Sequence, residues 1–103
     1  MKKSDKKYLN AITELGCIAC RLEGRGGVKP EIHHPREGTG LALKAPHKMA
    51  IALCHKHHRG TDHPRVSSIH LAPNQFKSQY GTEAELWQIT QDLLNKKPVE
   101  DEF

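Results

Sequence analysis

Leu53-Cys54-His55-Lys56-His57-His58-Arg59-Gly60 is the stretch on which the fold turns, because Cys54-x-x-His57 has the spacing of a metal knuckle. Zinc is borderline-soft and tetrahedral, and it takes four sulfur or nitrogen donors most readily from two rigid pairs whose side chains converge. Upstream, Cys17-x-x-Cys20 supplies a second pair. The 34 to 37 residues between the pairs exceed the spacing of a simple zinc finger and leave room for a β-ribbon. Cys17, Cys20, Cys54 and His57 are therefore expected to hold a structural zinc, since a closed set of four protein ligands leaves no position for a reacting water.

Composition asks for such a staple. The chain has 103 residues, of which 36% are hydrophobic and 5% aromatic, a thin apolar supply for offsetting the entropy of ordering. Three cysteines are too odd a number for a closed disulfide framework, and eight histidines are a heavy load for this length. One domain over residues 1–103 is expected, with a basic end at 1–7 and a frayed acidic tail at 98–103. The formal charge of +4 favours a polyanionic partner, although Lys2, Lys3, Lys6 and Lys7 crowd at one end, where a solvated lysine cluster and a phosphate-binding arm both remain open. No apolar stretch suits a signal peptide or a bilayer span, so a cytoplasmic location without membrane contact is expected.

Outward from the knuckle, the remaining sequence divides readily. Ser4 or Asp5 can cap a helix carrying Tyr8, Ala11, Ile12 and Leu15, with Gly16 just past its end. Gly24 to Pro30 reads as a loop, and Glu31 to His34 as a short strand, since Pro35 biases His34 toward extended backbone. Arg36 to Gly40 reads as a turn and the apolar run Met49 to Leu53 as a buried strand. His57, His58 and Arg59 can start a short helix. A second short helix is predicted over Pro73 to Tyr80, closed by Gly81. Thr82-Glu83-Ala84-Glu85 has the capping-box pattern, so a last helix is predicted from Glu83, packing through Leu86, Trp87, Ile89, Leu93 and Leu94 and stopping before Pro98.

Seven histidines remain once His57 is assigned. A hydrolytic metal site needs a partly open metal, a positioned base and cations to neutralise charge developing on phosphate. His33 and His34 are adjacent on an extended segment, so their side chains point to opposite sides, one toward a metal and the other toward a water or phosphate. His58 opens a helical turn after the knuckle, with Asp62 four residues and His63 five residues further on as possible additional ligands.

In this order of parts the sequence resembles the HNH nucleases, ββα-metal enzymes in which a β-hairpin and a helix clamp one divalent metal. The matching residues run from Cys17 through His63. It is similar in more detail to the phage Ref nucleases, which act with RecA filaments. That likeness rests on Cys17-Ile-Ala-Cys20, His33-His34, Leu53 to Gly60, Ser68-Ile69-His70, and Phe76 to Gly81 followed by the Glu85-Leu86 helix. The resemblance implies an α+β fold: a small zinc-stapled ββα-metal core with flanking N- and C-terminal helices. It implies a metal-dependent endonuclease of phage or prophage recombination, acting on DNA and on RecA filaments and leaving 5′-phosphate and 3′-hydroxyl ends. His34 would be the general base and His33 and His58 ligands of an active-site Mg, Mn, Zn or Ni, with Asp62 or His63 completing the set. Arg36, Lys48 and Arg59 would contact phosphates.

The chain departs from the HNH pattern at Met49, which stands where the motif has its central Asn. His47 nearby is a candidate to take over that residue's job of holding the base-bearing loop. His70 has three readings: a zinc ligand with His63, a helix cap, or a packed side chain. Met49 also keeps a second function class open, a zinc-stapled module that holds DNA or a filament without cutting. A third is a zinc-ribbon interaction domain with incidental histidines.

Overall fold

A computed structural model describes residues 2–35, 46–60 and 67–100, the last five of these by backbone alone. The elements among them are helices α1 (Lys3–Leu15), α2 (Ile18–Leu22), α3 (His55–His58), α4 (Pro73–Tyr80) and α5 (Glu83–Glu100), strands β1 (Glu31–His33) and β2 (Ile51–Leu53), and a 3-10 turn at His47–Met49. This is the small α+β fold expected.

β2 is the centre of the packing. Its three residues are all buried because it is covered on both faces, which is why its sequence is a continuous apolar run rather than an alternation. Ile51 and Leu53 face one cluster with Cys17, Ile18, Ala19, Cys20, Cys54, Phe76 and Leu86. Ala52, pointing the other way, joins Ala50 and Ile12, with Tyr8, Leu9, Ile32 and Leu94 around them. α1 thus lies on one side of the ribbon and the Cys/His cluster on the other, and α5 contributes to both. Tyr8 fastens the first side: its hydroxyl donates to the Ala50 carbonyl at 2.7 Å and accepts from Gln91 of α5 at 3.0 Å.

β1 pairs antiparallel with β2, placing Glu31 opposite Leu53, Ile32 opposite Ala52 and His33 opposite Ile51. His33 therefore shares a face with Ile51 and Leu53, at the end of β2 away from Cys54. His34 lies one residue beyond the strand, and the expected turn at Arg36 to Gly40 lies outside the described residues.

Several boundaries differ from the sequence reading, each for a local reason. α1 begins at Lys3 with Lys2 as its cap and no side-chain capping bond, so Ser4 and Asp5 sit inside its first turn, where Asp5 complements the helix dipole. Gly16 ends it as expected, at φ 81°. Met49 is not part of the strand: it closes the 3-10 turn and is 37% exposed. α3 starts two residues earlier than expected, with Cys54 as its cap, and ends at His58. The helical spacing from His58 to Asp62 therefore does not apply, and Asp62 and His63 lie outside the described residues.

α4 spans the expected residues, with Pro73 in the first turn and Gly81 beyond the end. The capping box is made: the Glu85 carboxylate accepts from the Thr82 N–H at 2.9 Å and the Thr82 hydroxyl from the Glu85 N–H at 3.1 Å. α5 does not stop before Pro98 but continues to Glu100. Proline this close to a helix end removes one hydrogen bond, the one to the Leu94 carbonyl, and leaves the preceding turns intact. The expected tail is thus helical over residues 98–100, and residues 101–103 are outside the description.

After α3 the chain turns sharply at Gly60, whose φ of +66° favours glycine. The segment from Ser68 then docks along α3: Ile69 N–H donates to the His57 carbonyl at 2.8 Å and His70 N–H to that of His58 at 3.2 Å. Ser68 is buried, and a Cβ on Gly60 would stand 2.6 Å from it. Gly60→Ala is therefore expected to lower stability by about 1 kcal/mol or more, from left-handed strain and the displacement of Ser68 together. Denaturant unfolding of the variant checks this.

Candidate metal centres

Four buried side chains meet where α2, β2 and α3 converge. Cys17 caps α2 and Cys20 lies within it, Cys54 follows β2, and His57 points back from α3. Cys17 Sγ accepts from the Cys20 N–H at 3.4 Å, the backbone bond that closes a metal knuckle. Cys20 Sγ is 3.7 Å from Cys54 Sγ, and His57 Nδ1 is 3.6, 3.5 and 3.2 Å from the sulfurs of Cys17, Cys20 and Cys54. Around one tetrahedral zinc, sulfurs stand about 3.8 Å from each other and about 3.5 Å from a nitrogen, given ordinary bond lengths. The donor set and its spacing both fit zinc.

Groups behind the ligands orient them. His57 Nε2–H donates to the Tyr80 hydroxyl at 3.0 Å, and that hydroxyl donates to Glu23 at 2.6 Å. This relay fixes the His57 tautomer with Nδ1 toward the thiols. It also holds Glu23 below the ordinary carboxylate range, the Tyr80 hydrogen bond being the main cause. Burial pushes the Cys17 thiol up to about 12 and raises that of Cys20, so metal uptake must displace protons from both.

A second cluster lies on the other side of α3. His33, His58 and His70 each offer a nitrogen, all within 4.8 Å of one another. Their ring centroids are 5.1 Å apart for His33 and His58, 5.4 Å for His33 and His70, and 4.6 Å for His58 and His70. His33 and His58 are buried while His70 is exposed, so the cluster opens to solvent on the His70 side. A cleft of about 390 Å³ begins there, bounded by Ile69, Pro73, Asn74, Lys77 and Gly81. Three imidazoles and an open side are a donor set for a hydrolytic metal rather than a structural one.

Carboxylates stand behind two of these rings. His33 Nε2 is 2.5 Å from Glu83 Oε2, and His58 Nδ1 is 2.8 Å from Glu31 Oε1. The His58 contact lowers Glu31, while burial, the larger influence, lowers His58 and favours the neutral ring that a metal needs.

His34 is not one of the three clustered donors and pairs with His47. Its Nε2 lies 3.0 Å from His47 Nδ1, the rings edge to face with centroids 5.1 Å apart. His47 is presented by the 3-10 turn, which Trp87 of α5 anchors through an N–H donated to the Lys48 carbonyl at 2.8 Å. Met49, two residues on, faces solvent.

Of the sequence-derived candidates, the structure thus gathers Cys17, Cys20, Cys54 and His57 at one point, His33 with His58 at another, and His34 with His47 at a third. Lys48 is exposed beside His47, and Arg59 is exposed but paired with Glu31 at 3.2 Å. Arg36, Asp62 and His63 lie outside the described residues. For His70 the sequence leaves three readings open, one of them with His63, and the structure brings its ring to His33 and His58. Glu31 and Glu83 carried no signal beyond a strand start and a helix start.

Fold and side-chain clusters together define a small α+β protein with, among the described residues, two sets able to hold metal. Over residues 2–95 the chain matches the family described as recombination enhancement, RecA-dependent nuclease, and it belongs to that family. No curated protein matches it. Among the described residues, no helix is long and apolar enough to cross a membrane.

Cys54→Ser is expected to abolish tight zinc binding at the Cys/His cluster and, like chelation of the wild type, to cost on the order of several kcal/mol of stability, checked by metal content and circular dichroism. Acid acts in the same direction. His57 and His58 are lowered by burial in the folded chain, so below the ordinary histidine value of about 6.5 the unfolded chain binds more protons. Thermal midpoints should therefore fall as pH drops from 7 toward 5, and a flat profile would contradict the assigned burial.

Proposed function

We propose that the chain is a metal-dependent endonuclease of the HNH type that hydrolyses DNA phosphodiester bonds, with His33, His58 and His70 as protein ligands of its active-site cation. The observation that carries this reading is the convergence of the three imidazoles, with His34, next in sequence to His33, held against His47. Membership in a family of RecA-dependent nucleases supports it, and so does the chain order of β1, β2 and α3, which bring His33 and His58 together as a ββα-metal core would. The Cys17, Cys20, Cys54 and His57 site is the structural zinc.

A divalent cation at the three histidines supplies positive charge for the scissile phosphate and its leaving oxygen. The rest is the work of the chain. His34, next to the ligand His33 but not among the clustered donors, is the general base that takes a proton from the attacking water. His47 holds the His34 ring in place, the job of the Asn that Met49 replaces. Lys48, exposed on the same turn, contacts a phosphate, whereas Arg59 must leave Glu31 to do so. The products carry 5′-phosphate and 3′-hydroxyl ends. DNA held in a RecA filament is the proposed substrate, in keeping with the family description.

Supercoiled plasmid with Mg²⁺ or Mn²⁺, with and without RecA filaments, tests this. Wild type should cut. His34→Ala should slow cutting by about 10²–10⁴-fold while keeping both metals, and His47→Ala should have a smaller effect in the same direction. His70→Ala should lose the second metal and cutting together. DNA binding by wild type with no cleavage under any of these conditions would instead support a zinc-stapled binding module.

A further inference from the structure

Glu83 occupies the first position of α5, directly after the Thr82 cap. A carboxylate there interacts well with the helix dipole while remaining in water. This one is turned inward: Glu83 is 6% exposed, His33 is 3% exposed, and Glu83 Oε2 lies 2.5 Å from His33 Nε2. Burying a carboxylate is costly unless it is hydrogen-bonded, and a surface glutamate would cap the helix equally well. The burial therefore calls for a reason beyond the helix.

Among the described residues the donors that converge at this centre are those of His33, His58 and His70, without Glu83, and the Glu83 contact is that of a hydrogen bond rather than of a fellow ligand. His33 Nε2 thus donates its proton to Glu83, and the ring's other nitrogen, Nδ1, is the one left to the cluster. On the opposite side His58 donates from Nδ1 to Glu31, which leaves Nε2. Two neighbouring rings are thereby locked in complementary tautomers by carboxylates from two different elements.

We infer that Glu83 is a positioning residue of the three-histidine centre, setting the tautomer and plane of His33 and coupling the start of α5 to metal binding. The inference rests on the three-histidine cluster being a metal site, as proposed above. Its consequence is quantitative: losing such a partner lowers metal affinity by about 10- to 100-fold without touching the primary ligands. The zinc of the cysteine site, on the far side of α3, should be unaffected.

Full-length protein carrying one zinc per chain would be titrated with Co²⁺, reading the cobalt absorption bands and the affinity. Wild type, Glu83→Gln, Glu83→Ala and the exposed same-helix control Glu85→Gln would be compared. Glu83→Gln keeps the shape and one acceptor and guards against a folding defect, as does retention of one zinc and the wild-type circular dichroism spectrum. The expected result is a 10- to 100-fold weaker cobalt site in Glu83→Ala, a smaller loss in Glu83→Gln and none in Glu85→Gln. Nitrogen NMR of the His33 ring should find the Nε2–H tautomer in wild type and a mixture in Glu83→Ala. Wild type taking up cobalt while both Glu83 variants bind it equally well overturns this inference alone. Wild type with no site for a second metal overturns the three-histidine reading and this inference with it.

Discussion

Four donors that must reach one point constrain everything else in this fold. Cys17 and Cys20 come from the start of α2, Cys54 from the end of β2 and His57 from α3, so one set of contacts ties together three elements separated by up to 40 residues. For a chain this poor in apolar residues, those ties replace the larger core it cannot build. They also fix directions. With His57 turned toward the thiols, its neighbour His58 is rotated by about 100° around α3 and meets His33 and His70 instead. The three-histidine cluster inherits its geometry from the Cys/His cluster through a single peptide bond.

The same economy operates on the strand. His33 joins His58 and His70 while its neighbour His34 pairs with His47, so with His57 and His58 two adjacent pairs serve three different places. β2 holds this arrangement by being buried on both faces, with α1 behind it and the cysteines in front. α5 then closes the structure from the C-terminal side, contacting the core through Leu86, the turn of His47 through Trp87, and His33 through Glu83.

What the sequence revealed follows from how local each signal is. The convergence of Cys17, Cys20, Cys54 and His57 was legible because tetrahedral coordination demands paired donors at fixed spacing, and α4 and the start of α5 were legible because proline, glycine and the capping box act within a few residues. Met49 misled because an apolar residue next to Ala50-Ile51 reads as strand, while the 3-10 turn that excludes it is set by tertiary contacts with α1 and Trp87. His70 was unreadable as a partner of His33 and His58 for a related reason. Its approach depends on a left-handed turn at Gly60 and on Ser68 docking beneath it, and no periodicity reports either. Glu83 was hidden by its own helix, since glutamate after a threonine cap is explained without any long-range role.

The departure at Met49 now has a physical account. An asparagine in that loop would offer an amide with both a donor and an acceptor to hold the neighbouring base. The 3-10 turn sends Met49 outward and brings His47, two residues earlier, within 3.0 Å of His34. A neutral imidazole presents either a donor or an acceptor at Nδ1, never both, so it fixes the plane of the His34 ring through one contact whose proton direction depends on the tautomers of the pair. In the proposed mechanism, orientation of the base is therefore not lost with the missing asparagine. It passes to a residue whose position depends on the turn and on Trp87, and through Trp87 on the same helix whose first residue holds His33.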